Sequence, residues 1–504
     1  MKHGSSQPFR LRARMWLMLV VTALTVLAAG CRSDGPCCDP GLLSRELSWR
    51  IGSAPQPVAP SRQVIPPGVV VEDGLSEDEA IRTALTNNSA FQAAQAQLQM
   101  AGGDAVQADL IANPQLLVYF PTAAKEGQYT LYAPIESYFL RPARVKVANR
   151  EYRRIGQQLV QNGLDLARDV RLAYTDLAIA TQQAELAHEA LQIRRDIERL
   201  TEKRLQDGAI SELETIAAHV DQLNARATAG VQTQAIGIAE ARLAALMGLT
   251  TNPSPLIPLA LETPVMPVLS EQELVQQALG CRPDYQAACW TIAAAAERSR
   301  LARWMFLRLD GVLDVRDGPG YTRTGGGLRM DLPIFNRNEG GIIRADWEVN
   351  AACHARDAIH DQIVADVRTA FRQLQQASDN LRILEQEVLP AIADALQIAK
   401  KGFADGGTDY LLVLQTTTQY LDVRARILDQ KAAYARALAQ LERSVGCHLE
   451  AGLVDVEQLN QAIDVPMPDV EPAIEPAIEP AVEDVELEHN EKAPADSVPS
   501  SARE

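Results

Sequence analysis

The sequence has 504 residues, of which 47% are apolar and only 5% aromatic, a mixture that favours long, closely packed helices over an aromatic-rich binding domain. The formal net charge of −17 argues against general affinity for nucleic acid phosphates or acidic lipid. From Asp464 onward the chain has 12 acidic and 2 basic side chains, so the acidity is concentrated at the C-terminal end.

Residues 1–30 have the pattern of a secretory signal peptide. Basic residues precede an uncharged apolar run at residues 15–29 that is short for a membrane-spanning helix. The LAAGC segment that ends at Cys31 resembles a bacterial lipobox, although Ala28 stands where that pattern has Leu. We therefore expect Cys31 to be lipid-anchored, and the alternative is ordinary signal cleavage beside an unrelated cysteine.

Three proline-rich segments are predicted to lack regular structure. Residues 31–74 are interpreted as a lipid-anchored tether, because seven prolines occur there with little periodicity. Residues 250–270 contain five prolines and are predicted to connect two halves of the chain. Residues 450–504 include a Pro at every fourth position in an acidic background, which predicts a disordered tail.

The body of the chain is a duplicated unit, with repeats predicted at residues 75–249 and 271–449. Ala84-Leu85 recurs as Ala278-Leu279, an offset of 194, and Asp207-Gly208 recurs as Asp405-Gly406, an offset of 198. Each half has the order helix, strand pair, very long helix, tight turn, long helix. This order predicts one mainly α fold with internal twofold character.

Strand pairs are expected at about residues 114–140 and 306–335. In the second pair Leu328, Met330, Leu332 and Ile334 alternate with polar residues, as in a strand with one apolar face. This alternation fits either a soluble hairpin on a core or part of a membrane barrel with a wet lumen.

Helical hairpins are expected at about residues 142–248 and 338–447, because apolar residues step by three and four as in coiled-coil seams. The first predicted seam contains Leu166, Val170, Ala173, Leu177, Ala180, Ala184, Ala187 and Leu191. The second predicted seam contains Val367, Ala370, Leu374, Ala377, Leu381, Leu384, Val388, Ala391 and Ala395.

The sequence offers no catalytic or cofactor-binding motif. It has no phosphate loop, no zinc-binding HExxH and no plausible catalytic triad, so we predict that the chain is not an enzyme and needs no cofactor. The cysteines in helical segments, Cys281, Cys289, Cys353 and Cys447, lack CxxC spacing and are interpreted as small buried apolar residues. Cys353 and His354 are neighbours, and their side chains would point about 100° apart on a helix, so no metal site is predicted.

Over residues 75–449 the chain resembles the TolC family of outer-membrane efflux proteins. The resemblance rests on the duplicated architecture and on segments such as ANPQL at 112–116, RLQDGAISELETIAA at 204–218 and FADGGTDYLLVLQ at 403–415. The LPIFNRNEGG segment at 332–341 is similar to the branch that serves cobalt, zinc and cadmium efflux pumps.

The resemblance implies a homotrimer in the outer membrane. Four strands from each chain would close a twelve-stranded β-barrel, and the long helices would form a periplasmic tunnel. The chain would be a passive exit duct for metal ions or small toxic molecules. A periplasmic adaptor protein and an inner-membrane efflux transporter would be its partners.

The resemblance also implies two sets of site residues. The helical turns would be the periplasmic tips that contact the adaptor, and their residues are Asp207, Gly208, Asp405, Gly406 and Gly407. Relatives carry an aspartate ring at the tunnel entrance, but its places fall on Leu412 and Gln415 here. An aperture ring in this chain would instead use Asp405 or Asp409, with Gln415 at one of the relatives' places, and the alternative is that both aspartates are solvated turn residues.

Two other functions fit parts of the pattern. A type I secretion duct uses the same architecture and would export a protein. A periplasmic coiled-coil structural or adaptor protein would explain the seams and the signal peptide, but not the duplicated strand pairs.

Overall fold

The computed structural model describes residues 41–55, 63–69, 74–122, 126–249, 256–259, 270–318, 321–405 and 407–447. In this part of the chain the helices are α1 (Leu42–Ile51), α2 (Glu77–Asn87), α3 (Ser89–Asp109), α4 (Glu136–Gln206), α5 (Glu212–Leu246), α6 (Glu271–Cys281), α7 (Pro283–Ala302), α8 (Glu339–Ile383), α9 (Leu389–Ala404) and α10 (Tyr410–Val445). The strands are β1 (Gln115–Tyr119), β2 (Gly127–Pro134), β3 (Leu309–Gly318) and β4 (Tyr321–Met330). Among these residues no helix is both long and apolar enough to cross a membrane.

The strands form one antiparallel sheet in the order β1-β2-β3-β4. Its central pairing, β2 with β3, joins the two halves of the chain and places Leu131 opposite Leu313. Their row of the sheet is mainly apolar, whereas the opposite face has Thr130 beside Asp314, with the hydroxyl donating to the carboxylate at 2.9 Å. The strand pairs therefore have one apolar and one polar face, as their alternation predicts.

The second strand pair ends earlier than its alternation suggests. Met330 pairs with Leu309, the first residue of β3, and beyond this pair the Asp331 N–H donates to the Arg308 carbonyl at 3.4 Å without extending the ladder. Leu332 and Ile334 consequently lie in an irregular segment, not in a strand, and both side chains are exposed.

Helix α4 has 71 residues and is about 105 Å long at 1.5 Å per residue. It begins at Glu136, ahead of the expected start at Pro142, because Pro142 lies in the second turn and removes only one backbone hydrogen bond. The predicted first seam is buried except at Leu166, which is partly buried against the same core. Helix α4 packs against α5, α3, α7 and α10.

The second seam is buried from Val367 to Leu381, and Leu384 and Val388 are partly buried against the same cluster as Leu381. At Leu384–Val388 the helix widens into a π-helical segment, which accommodates one extra residue in a turn. The apolar register shifts by one position beyond it, so Ile392 is partly buried and Leu396 is buried where Ala391 and Ala395 were expected. In the first repeat α4 continues without such a segment.

The duplication extends to the helix caps. Ser76 caps α2 and Ser270 caps α6, again 194 residues apart. Each serine accepts a hydrogen bond from the backbone N–H three residues later, and the glutamate at that position accepts one from the serine N–H. The two helices therefore begin with the same capping box.

Within the predicted tether, residues 42–51 form a docked helix. Leu47 and Ile51 of α1 are buried in the core of the first repeat, so the expectation of no fold fails for this stretch. The Arg50 side chain is fully buried, and its Nη1 donates to the carbonyl oxygens of Cys281 and Gly446, the latter at 2.9 Å. These carbonyls lie at the C-terminal ends of α6 and α10, where the helix dipoles favour a cation.

The same junction contains a disulfide between Cys281 and Cys447, whose Cα atoms are 6.1 Å apart. The interpretation of all four helical-segment cysteines as small buried apolar residues is therefore wrong for this pair. Their sequence separation of 166 concealed the pairing, because only the fold brings the ends of α6 and α10 together. Cys289 and Cys353 are unpaired thiols at partly buried positions.

Candidate functional site

The first helical turn connects α4 and α5. The Asp207 N–H donates to the Lys203 carbonyl at 3.0 Å, and the Gly208 N–H donates to the Leu205 carbonyl at 3.0 Å. Gly208 has φ +69°, a left-handed conformation that closes the end of the helix and favours glycine. Ser211 then caps α5, because its side chain accepts from the Glu214 N–H.

The second turn, between α9 and α10, has a different backbone. The Asp405 N–H donates to the Lys401 carbonyl at 3.0 Å, and the Gly407 N–H donates to the Gly402 carbonyl at 2.8 Å. Gly407 does not have a positive φ, whereas Gly208 does. Gly406 lies outside the described residues, as does the predicted lipid-anchored Cys31.

The two turns lie side by side. Arg204, at the end of α4, stacks over the ring of Phe403 at 4.6 Å and donates to its carbonyl at 3.3 Å. Phe403 and Tyr410 belong to a small buried cluster that also includes Ala218 of α5. The structure therefore brings the predicted tips of both repeats into one surface.

A polar contact that the sequence did not reveal ties the two hairpins together just behind the turns. The Tyr410 hydroxyl donates to the Asp221 carboxylate at 3.0 Å, and Arg194 lies 3.8 Å from the same carboxylate. Burial raises the pKa of Tyr410, and the hydrogen bond to Asp221 raises it further. The residues are 189 positions apart, so no local motif pairs them.

The residues expected at the aperture are all exposed. Asp405 lies in the second turn, Asp409 immediately precedes α10, and Gln415 is on the second turn of that helix. Asp409 makes no side-chain cap bond. Within the described ranges neither aspartate has an ion-pair partner. Both carboxylates are therefore accessible to solutes.

The part of the chain that the structure describes contains no group of three or more His, Cys, Asp or Glu side chains arranged to hold a metal ion. The site is thus a surface formed by two helical turns, with exposed carboxylates and a buried aromatic cluster behind them.

Comparison with known proteins identifies the family that has this architecture. The family model described as outer membrane efflux protein matches residues 80–249 and 274–447, well over half of the chain. The chain belongs to the outer membrane efflux protein family. The resemblance to TolC-type proteins is thereby confirmed, and the family is one of channels, not a class of enzymes.

Related proteins and structures agree with the family assignment. The chain is 26% identical over 390 residues to the cobalt-zinc-cadmium resistance protein CzcC of Cupriavidus metallidurans, covering 74% of this chain and 90% of CzcC. The crystal structure of CusC matches with a TM-score of 0.64 at 19% identity, covering 78% of this chain and 98% of CusC. The outer membrane protein VceC of Vibrio cholerae matches with a TM-score of 0.62 at 20% identity, covering 74% of this chain and 97% of VceC.

Proposed function

We propose that three copies of this chain form a passive exit duct in the outer membrane for metal ions or small toxic molecules. An inner-membrane efflux transporter drives the transport, and a periplasmic adaptor joins that transporter to the duct. The duct consists of a twelve-stranded β-barrel on a periplasmic tunnel of long helices.

The observation that carries the proposal is the open sheet. Strands β1 and β4 are its edges, and each has a row of backbone N–H and C=O groups with no partner in the described chain. One face of the sheet is apolar and exposed, including Leu116 and Leu328. Unpaired edges are costly in lipid, so β4 of one chain pairs with β1 of the next until the sheet closes.

The paired turns are proposed as the adaptor contact. Asp207, Gly208, Asp405 and Gly407 are exposed at the ends of two hairpins that pack together through Phe403. Gly406 belongs to the same proposed surface by its position in the sequence.

The aperture is proposed to use the carboxylates of Asp405 and Asp409, with Gln415 contributing an amide. A threefold axis would bring three copies of each carboxylate together, and this would concentrate negative potential at the tunnel entrance. Such a ring would favour the passage of cations.

The proposed anchor is a lipidated Cys31, which would hold the N-terminus at the membrane. Cys31→Ser should abolish incorporation of labelled fatty acid into the protein. Unchanged labelling would remove the anchor from the proposal and leave the duct intact.

The cargo is proposed from the relatives, since CzcC is a cobalt-zinc-cadmium resistance protein. Deletion of the gene should lower the concentrations of cobalt, zinc and cadmium salts that stop growth, and the intact gene should restore them. A deletion strain with normal resistance to these metals and to small toxic organic molecules would contradict the proposed cargo. Loss of secretion of a protein in the same strain would favour a type I secretion duct.

A further inference from the structure

An exposed apolar band surrounds the ends of the strands where they meet the helices. We call this band the junction belt. Its exposed apolar members are Phe139, Trp304, Met305, Leu332, Ile334 and Phe335. Phe335 is 100% exposed and Trp304 is 58% exposed, so neither side chain is covered by the described parts of its own chain.

The junction belt is also basic. Residues 108–114, 135–146, 303–308 and 331–337 flank the four strands on their helical side. Together they contain six basic and three acidic side chains, although the whole chain carries a net charge of −17. The belt is therefore locally positive, whereas the chain as a whole is negative.

Three arginines among these basic side chains lack a carboxylate partner in the described chain. Arg144 donates to the carbonyl oxygens of Ser137 at 3.2 Å and Leu110 at 3.4 Å, and its buried Nε has no partner. Arg337 donates only to the Pro333 carbonyl at 3.4 Å, and the Arg308 side chain is exposed without a hydrogen bond there. By contrast, Arg141 is held by Asp109 at 2.8 Å.

We propose that the junction belt binds anionic phospholipid headgroups in the membrane leaflet nearest the helices. The belt continues the exposed apolar face of the sheet, and its Trp304 combines a large apolar ring with a polar N–H, as side chains at membrane interfaces do. Unpaired guanidinium groups beside them are suited to lipid phosphates. This inference rests on the proposed function, because it requires the sheet to lie in a bilayer.

The test uses Trp304 as a reporter in the full-length protein after signal removal, reconstituted in vesicles. Trp49→Phe with Trp347→Phe leaves Trp304 and the buried Trp290. The same variant with Trp304→Phe added gives the Trp290 background. Quenching by brominated phosphatidylglycerol is then compared with quenching by brominated phosphatidylcholine. We expect Trp304 to be quenched several-fold more strongly by the anionic lipid, with the preference reduced at high salt.

The arginines are tested in the same background. Arg308→Gln with Arg337→Gln should lower the relative association constant for the anionic lipid by about fivefold for each arginine removed. The matched control is Arg368→Gln with Arg372→Gln on α8, which removes equal charge about 43 Å beyond the start of that helix. The control variant should keep the lipid preference.

The outcomes separate this inference from the proposed function. Equal quenching by both lipids, or an equal loss in the control variant, overturns the headgroup site but leaves an embedded sheet. Absence of quenching by either lipid overturns the site and shows that the belt is covered by protein. If ion conductance across the bilayer is also absent, the proposed duct fails as well.

Discussion

Gly208 and Gly407 occupy equivalent turns but have different backbone requirements. Gly208 has φ +69°, whereas a Cβ at Gly407 would lie 3.7 Å from the Gly402 carbonyl oxygen, an ordinary contact. Gly208→Ala should therefore lower the free energy of unfolding by about 1 kcal/mol through backbone strain, and Gly407→Ala should not. Thermal unfolding of the purified protein in detergent measures the difference.

A bulky side chain tests the role of the two glycines as a docking surface. Gly208→Trp or Gly407→Trp should reduce co-purification of the adaptor while leaving the trimer intact on native gels. Gly230→Trp is the control, because a side chain there also enters open space but lies in the middle of α5. Normal efflux with Trp at both turn positions would contradict the docking role.

The exposed carboxylates of Asp405 and Asp409 predict cation selectivity. Asp405→Asn with Asp409→Asn should shift the reversal potential of the channel in a salt gradient toward zero, because the negative potential at the entrance is removed. Asp361→Asn with Asp379→Asn removes the same charge elsewhere and should have little effect. Unaltered cation preference in the first variant would place the selective ring elsewhere.

At the level of elements, the disulfide and Arg50 join the ends of α6 and α10 to α1. Closing a loop with 166 residues of separation restricts the unfolded chain, and loop-closure entropy gives an upper estimate of about 5 kcal/mol. Cys281→Ser with Cys447→Ser should therefore lower the melting temperature markedly. Cys289→Ser with Cys353→Ser should lower it much less, and an equal loss in both variants would contradict the account.

Tyr174 links α4 to the start of the first repeat and to the connector. Its hydroxyl lies 2.9 Å from the Leu75 carbonyl oxygen and 3.1 Å from that of Leu259. Burial, followed by the charge of Glu77, raises the pKa of Tyr174 to about 12 from the ordinary value of about 10. The folded state therefore keeps a proton that the unfolded chain releases above about pH 10.

The resulting stabilisation is fully present below about pH 10 and is lost as the pH rises through about 12. The melting temperature of the native protein should exceed that of Tyr174→Phe at pH 9, and this difference should shrink by pH 11.5. Tyr138→Phe is the control, because Tyr138 is 52% exposed. A difference that does not change with pH would disprove the assignment.

The elements were predictable where the pattern is local. The apolar steps from Val170 to Leu191 predict the α4 seam, because helical spacing alone determines which face is buried. The π-helical segment at Leu384–Val388 was not predictable in this way, since one extra residue in a turn changes no residue type. The Tyr410–Asp221 contact was hidden because it depends on how two hairpins pack.

At the scale of the whole molecule, the duplicated sequence predicted two strand pairs, and the sheet joins them through β2 and β3. The family resemblance of the sequence also implied a barrel that three chains share. What it could not indicate was the docked α1, because the burial of Leu47 depends on helices more than 30 residues away.

Thiol cross-linking tests most directly whether copies of the chain complete the sheet. Val118 of β1 and Thr324 of β4 lie in one row of the sheet at its two open edges, with Tyr129 and Val315 between them. In a background without free cysteines, Val118→Cys with Thr324→Cys and a flexible bifunctional reagent should give a ladder of denatured products that ends at three chains. Tyr129→Cys with Val315→Cys should cross-link only within one chain. If both cysteine pairs gave only products of a single chain, the trimeric duct would be contradicted.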